Sequence, residues 1–140
     1  MQRIGIFGGA FDPVHMGHLR VIEDALKLNR VDQVVLMPND AAPYRKPQAG
    51  TAHVRAMASI ATAGMDNVSL APQDAADGAR DTVEMVLSMR KRYKDARISY
   101  IIGADKLAGL LHWRRANKLF ALCDLIVYPR AGYAGQELIL

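Results

Sequence analysis

Ile4-Gly5-Ile6-Phe7-Gly8-Gly9-Ala10-Phe11-Asp12-Pro13-Val14-His15-Met16-Gly17-His18 is the stretch on which the fold turns. The apolar, β-prone residues Ile4, Ile6 and Phe7 run into two glycines, then a Phe-Asp-Pro corner, then a histidine pair. An amphipathic helical pattern begins only after that, so the order reads as a buried strand, a glycine turn and a helix start. Glycines at a strand end let the backbone approach a ligand, because no Cβ stands in the way. Free N–H groups and the positive end of the following helix favour an anion there, and phosphate above all. His15 and His18 are three residues apart and share one face if the helix begins near His15. Two imidazoles beside a phosphate cradle point to chemistry on phosphate. The pair alone does not suggest a closed metal site, since no third histidine or cysteine cluster stands beside it in sequence.

The rest of the composition narrows the class. A chain of 140 residues is expected to form one domain, residues 1–140, with a real core. Hydrophobic residues at 51% and charged residues at 23% are ordinary for a globular protein. No apolar run approaches a membrane span and no charged leader precedes the first strand, so a cytoplasmic protein is expected. The single cysteine, Cys123, lies in Ala121-Leu122-Cys123-Asp124-Leu125 and reads as a small core residue, in keeping with a reducing compartment. The formal charge is +4. Its basic residues gather at Arg90, Lys91, Arg92 and Lys94 and again at Arg114, Arg115 and Lys118. Without interleaved aromatic platforms these read as solvated helix faces, not as a nucleic-acid surface.

Along the chain, apolar strands alternate with helical patterns. Leu19, Ile22, Ala25 and Leu26 form a stripe that ends near Asn29; a second strand follows over 33–37, stopped by Pro38. Residues 39–50 read as a loop carrying Tyr44, Arg45 and Lys46. Thr51 is placed to cap a helix through Val54, Met57, Ala58 and Ala61, closed by Gly64. A short strand is expected at 68–71 and a loop at 72–80, then a helix capped by Asp81 or Thr82 with Glu84 in support. A fourth strand spans 98–102 up to Gly103. Short helices then run through Leu107 and Leu110 and around 116–122, with Trp113 between them, before a fifth strand at 125–128. The alternation predicts an α/β fold with a mainly parallel sheet and helices on both faces.

The stretch that opens the chain resembles the Gly-Gly-Thr-Phe-Asp-Pro-x-His-x-Gly-His signature of the HxGH nucleotidyltransferase superfamily. Gly8, Gly9, Phe11, Asp12, Pro13, His15, Gly17 and His18 match, and Ala10 stands where the family usually has Thr or Ser. A second segment, Ile101-Ile102-Gly103-Ala104-Asp105 with Trp113 beyond, is similar to that of bacterial nicotinate mononucleotide adenylyltransferases. Lys46, Thr82 and Pro129-Arg130 fall at similar relative positions, while Arg45 and Arg80-Asp81 depart from the usual residues. The resemblance implies a Rossmann-like doubly wound sheet of about five strands in the order 3-2-1-4-5. It implies an enzyme that joins ATP and nicotinate mononucleotide, giving deamido-NAD and pyrophosphate in NAD biosynthesis. His15, His18 and Lys46 would be its catalytic residues. Gly8, Gly9, Ala10, Phe11, Gly17, Gly103 and Asp105 would bind ATP with the histidines, and Lys46, Thr82 and Trp113 the nicotinate mononucleotide. Mg²⁺ would travel with the triphosphate, with no protein metal site. A homo-oligomer is left open.

Nothing in the chain matches the family's second signature, Ile-Ser-x-Thr-x-x-Arg. The C-terminal part of the family fold is therefore expected to be missing from these 140 residues. Two other readings stay open: a sister enzyme acting on phosphopantetheine or glycerol 3-phosphate, and a homologue that binds nucleotide without turnover.

Overall fold

The structure is a computed structural model that describes residues 1–9, 11, 15–38, 51–72, 82–110, 112, 115–129 and 138–139, with backbone alone at 51, 105, 107, 108, 138 and 139. Its elements are β1 (Gln2–Gly9), α1 (Met16–Lys27), β2 (Gln33–Pro38), α2 (Thr51–Thr62), β3 (Val68–Leu70), α3 (Thr82–Arg92), β4 (Ala96–Gly103), α4 (Ala104–Leu110), α5 (Ala116–Leu122), β5 (Asp124–Tyr128) and β6 (Leu138–Ile139). The sheet order is β3-β2-β1-β4-β5-β6. The first five strands pair in parallel, in the expected order, and β6 adds an antiparallel edge on β5 through Ile126↔Ile139 and Val127↔Leu138. A two-residue strand has too few positions to show a period of two, so sequence alone did not predict β6.

Side chains alternate across the sheet and build a core on each face. Ile4, Ile6, Val35, Met37, Ile98, Tyr100, Ile102, Leu125 and Val127 meet Val83, Val86 and Met89 of α3 with Leu110 and Leu119. On the other face Phe7, Val34, Leu36, Ile101 and Ile126 meet Ile22 and Ala25 of α1 and Val54 and Ala58 of α2. Fully burying a side chain such as Ile22, which has no exposed surface, contributes about 1.5–3 kcal/mol. Cys123 belongs to the α3 face. Burial first, and then the charge of Asp124, push its thiol up to about 12, which suits a packing residue and not a nucleophile.

Where the helices start differs slightly from the sequence reading. Thr51 and Thr82 are the first helical residues, not caps preceding them. Side-chain propensity locates such a boundary only to within a residue or two. Asp81 lies outside the described residues. β4 continues through Gly103, and α4 begins at the next residue with no loop between them.

The far end of α1 is fastened to the start of β1. The Arg3 guanidinium donates to the Asp32 carboxylate at 2.9 and 3.3 Å and to the Asn29 carbonyl at 2.8 Å. Asn29 sits at φ 59°, a left-handed position that asparagine tolerates after a helix. With that end pinned, the axis of α1 and hence the place of its N-terminus follow from the packing of Ile22 and Ala25 on the sheet.

Candidate active site

Because β1 to β5 are parallel, the helix that follows each strand leaves from the same edge of the sheet. The chain winds over one face through α1 and α2 and over the other through α3. It reverses between β1 and β4, the place where such sheets bind ligands. The register shows the opening. β1 and β4 pair only as far as Phe7↔Ile101. Beyond that, Gly8 and Gly9 pair with Met37 and Pro38 of β2, while Ile102 and Gly103 pair with Val127 and Tyr128 of β5. The two central strands part at their carboxyl ends, and Gly8, Gly9 and Gly103 line the gap.

The N-terminus of α1 stands above this gap and is held by the two histidines themselves. His15 is the N-cap, with extended backbone at φ −143°. Its Nδ1 accepts from the Gly17 N–H at 3.1 Å, and the Nδ1 of His18 accepts from the His15 N–H at 3.0 Å. The arrangement is a capping box built from imidazoles in place of the usual hydroxyl and carboxylate. With both Nδ1 atoms accepting, each neutral ring carries its proton on Nε2, on the far edge of the ring. The rings stack with centroids 3.8 Å apart and planes at 25°. Burial first, and then the neighbouring His15, push His18 down to about 4. At neutral pH the His18 ring is therefore an uncharged N–H donor.

Gly17 is required by this geometry. A Cβ on Gly17 would stand 2.9 Å from Cε1 and 3.0 Å from Nδ1 of His15. His15 could not keep both its place and its cap bond. Phe11 lies underneath: its backbone is left-handed at φ 47° and its side chain is 2% exposed. Its ring belongs to the core.

Known proteins resemble this chain in sequence and in fold. The family described as cytidylyltransferase-like matches residues 6–138. A protein of Gluconobacter oxydans (strain 621H), named a probable nicotinate-nucleotide adenylyltransferase, is 38% identical over 139 residues, covering 98% of this chain and 71% of its own. One of the same name from Synechococcus sp. (strain JA-3-3Ab) is 38% identical over 142 residues, covering 98% of this chain and 69% of its own. The chain belongs to the cytidylyltransferase-like nucleotidyltransferases, on the nicotinate-nucleotide adenylyltransferase branch. It spans about 70% of the length of these relatives. The fold agrees with that of Plasmodium falciparum nicotinic acid mononucleotide adenylyltransferase complexed with NaAD, at a TM-score of 0.82 and 16% identity, covering 97% of this chain and 68% of the other.

Of the candidate site residues read from sequence, the structure brings together Gly8, Gly9, Phe11, His15, Gly17, His18 and Gly103 on one edge. Asp105 follows in the first turn of α4. Thr82 opens α3 on the same edge of the sheet and is 8% exposed. Ala10, Lys46 and Trp113 lie outside the described residues. Arg55 donates to the Ala71 carbonyl at 2.7 Å. Among the described residues no group of three or more His, Cys, Asp or Glu lies together as a metal would require, and no helix is long and apolar enough to cross a membrane. A cleft of about 300 Å³ lies at the opposite end of the sheet, by the amino ends of β4 and β5. Its cations are engaged, Arg97 with Asp124 at 2.6 Å and Arg90 with the Leu122 carbonyl at 2.7 Å. Neither His15 nor His18 lines it.

Proposed function

We propose that this chain transfers the adenylyl group of ATP to nicotinate mononucleotide in the cytoplasm, giving deamido-NAD and pyrophosphate for NAD synthesis. The observation that carries the reading is the imidazole capping box over the gap between β1 and β4. Two Nε2–H donors, glycine backbone and a helix N-terminus lie at the same edge of the sheet, where an anion is favoured. The relatives' names and the Gly103-Ala104-Asp105 segment support nicotinate mononucleotide as the acceptor.

The reaction needs no covalent intermediate. A phosphate oxygen of nicotinate mononucleotide attacks the α-phosphorus of ATP in line, the new P–O bond forms as the bond to the pyrophosphate oxygen breaks, and pyrophosphate leaves with the electron pair. Catalysis of this kind is positioning and charge stabilisation. His15 and His18 donate from Nε2 to the phosphates as charge builds there. Gly8, Gly9 and Ala10 offer backbone N–H groups beside them, as does Phe11, with Gly17 keeping His15 in place. Lys46 neutralises further charge. Gly103 and Asp105 contribute to binding ATP, and Thr82 and Trp113 hold the nicotinate, the first at a helix start and the second by stacking. Mg²⁺ enters as part of the ATP substrate, as it commonly does with triphosphates.

The test is pyrophosphate release from ATP and Mg²⁺ with nicotinate mononucleotide, nicotinamide mononucleotide, phosphopantetheine, glycerol 3-phosphate or no acceptor in parallel. Release that depends on nicotinate mononucleotide is expected. Replacing His18 with Ala should lower that turnover by about 10²–10³-fold, the cost of one lost transition-state donor, with the circular dichroism of the parent retained. Release with a different acceptor alone, or with none of them, overturns the reading.

A further inference from the structure

Among the described residues at this edge, Phe11 alone combines a strained backbone with a buried side chain. Its φ of 47° is a left-handed value, and its ring is 2% exposed. A bulky residue in that region is an outlier that persists only where its surroundings over-determine it. Glycine is the usual solution at such a position. A phenylalanine there has its use in where the turn sends the ring.

The ring meets two aromatic rings in a cluster of four. It stands edge-on to Phe7 of β1 at 5.2 Å and 90°, and to His18 at 4.7 Å and 70°. Phe7 reaches His18 as well, at 5.9 Å and 64°. His15 stacks on His18 at 3.8 Å. The imidazole of His18 is thus held between a phenylalanine wedge and a stacked histidine, with its Nδ1 on the His15 N–H. We infer that Phe11 is a positioning residue: its left-handed turn drives its ring under His18, fixing the imidazole in the one orientation that sends Nε2–H to the phosphates and keeping water from that side of it. The inference rests on the proposed function for what His18 does, but the contact itself does not depend on the substrate.

The acid–base behaviour of His18 agrees. Burial is the first cause of its low value, about 4, and the field of His15 the second. Among the described residues its ring neighbours are the uncharged Phe7 of β1 and Phe11, and its titratable neighbour is His15 at the start of α1. Removing the Phe11 ring admits water to His18 without changing any charge, so the shift it causes reads burial alone.

The test is an NMR titration of the histidine ring nitrogens in the parent chain and in Phe11→Leu, without substrate, alongside steady-state kinetics of both. In the parent, His18 should be protonated on Nε2 at neutral pH, show contacts to the Phe11 ring, and titrate well below pH 6. In Phe11→Leu the titration should rise by about one pH unit or more toward the ordinary histidine range. The same variant should lose about tenfold in kcat or more, as for a misplaced catalytic group, while KM for ATP changes little. A variant that is less stable but keeps the His18 titration and kcat makes Phe11 a core residue only and overturns the inference. So does a fall in kcat with the His18 titration unmoved. If Phe11→Leu does not fold, the parent decides: a His18 that titrates near 6.5, or that shows no contact with Phe11, overturns the inference. A parent chain without turnover counts against the proposed function, and the substrate-free titrations still judge this inference.

Discussion

Adding a single methyl group at Gly17 separates the site's geometry from the fold's stability. Gly17 lies in the first turn of α1 with ordinary helical backbone, so alanine can take its φ and ψ. Alanine in a helix is favoured over glycine by about 0.8–1.0 kcal/mol. The obstacle is His15: the new Cβ would stand 2.9 Å from its Cε1 and 3.0 Å from its Nδ1. The ring has to swing away, and the cap bond from the Gly17 N–H, 3.1 Å in the parent, goes with it. Losing an N-cap costs about 0.5–2 kcal/mol. Gain and loss nearly offset, so urea unfolding should place Gly17→Ala within about 1.5 kcal/mol of the parent. Turnover should respond much more. Displacing a catalytic group by about 1 Å can cost roughly 100-fold, equivalent to about 2.7 kcal/mol of barrier. The assay is pyrophosphate release with nicotinate mononucleotide at saturating substrates, paired with the unfolding curve. A Gly17→Ala chain that keeps kcat within about threefold would refute the reasoning, since a 100-fold effect is expected. Inactivity through a collapse in stability of more than about 3 kcal/mol would refute it too, because the cap alone cannot cost that much.

Two further outcomes follow from the same structure. His18 has a folded value of about 4, below the ordinary 6.5, so the unfolded chain binds the proton more tightly and acid favours unfolding. The stabilisation this gives is complete above pH 6.5 and is lost as pH falls toward 4. His18 is partly exposed, so the effect should be about 1–2 kcal/mol after allowance for solvent screening, and urea unfolding of His18→Gln should lack that part of the acid slope. At the other end of β1, a Cβ on Gly5 would stand 2.8 Å from Ile101 Cδ1 and 3.1 Å from Val31 Cγ1. Gly5→Ala should destabilise by about 1–3 kcal/mol through overpacking, read as a lower midpoint of thermal unfolding, with KM for both substrates unchanged in the folded protein.

The sequence carried the frame of the site in local signals. The apolar runs at Ile4 to Phe7 and Ile98 to Ile102, the glycines after them and the helical stripe at Leu19 to Leu26 each depend on residues close in the chain. Their order fixed a parallel sheet, and the spacing of His15 and His18 put both at the start of α1. The parting of β1 from β4 after Phe7↔Ile101 was not legible, because register between strands some 90 residues apart depends on packing across the whole sheet. Nor was the buried, left-handed Phe11. Nothing in Ala-Phe-Asp-Pro announces a positive φ at Phe11, and only its contacts with Phe7 and His18 give a reason for one.

By itself, the sequence determined which chemistry is present: two imidazoles, a glycine-lined strand end and a helix start, placed by short-range propensity and spacing. The tertiary structure decided what those groups can do. It committed both Nδ1 atoms to backbone N–H groups, left Nε2 as the donor of each ring, and pressed His18 against Phe11 so that burial keeps it neutral. Protonation state and hydrogen-bond direction depend on what surrounds an atom in three dimensions, and residue order does not encode that locally.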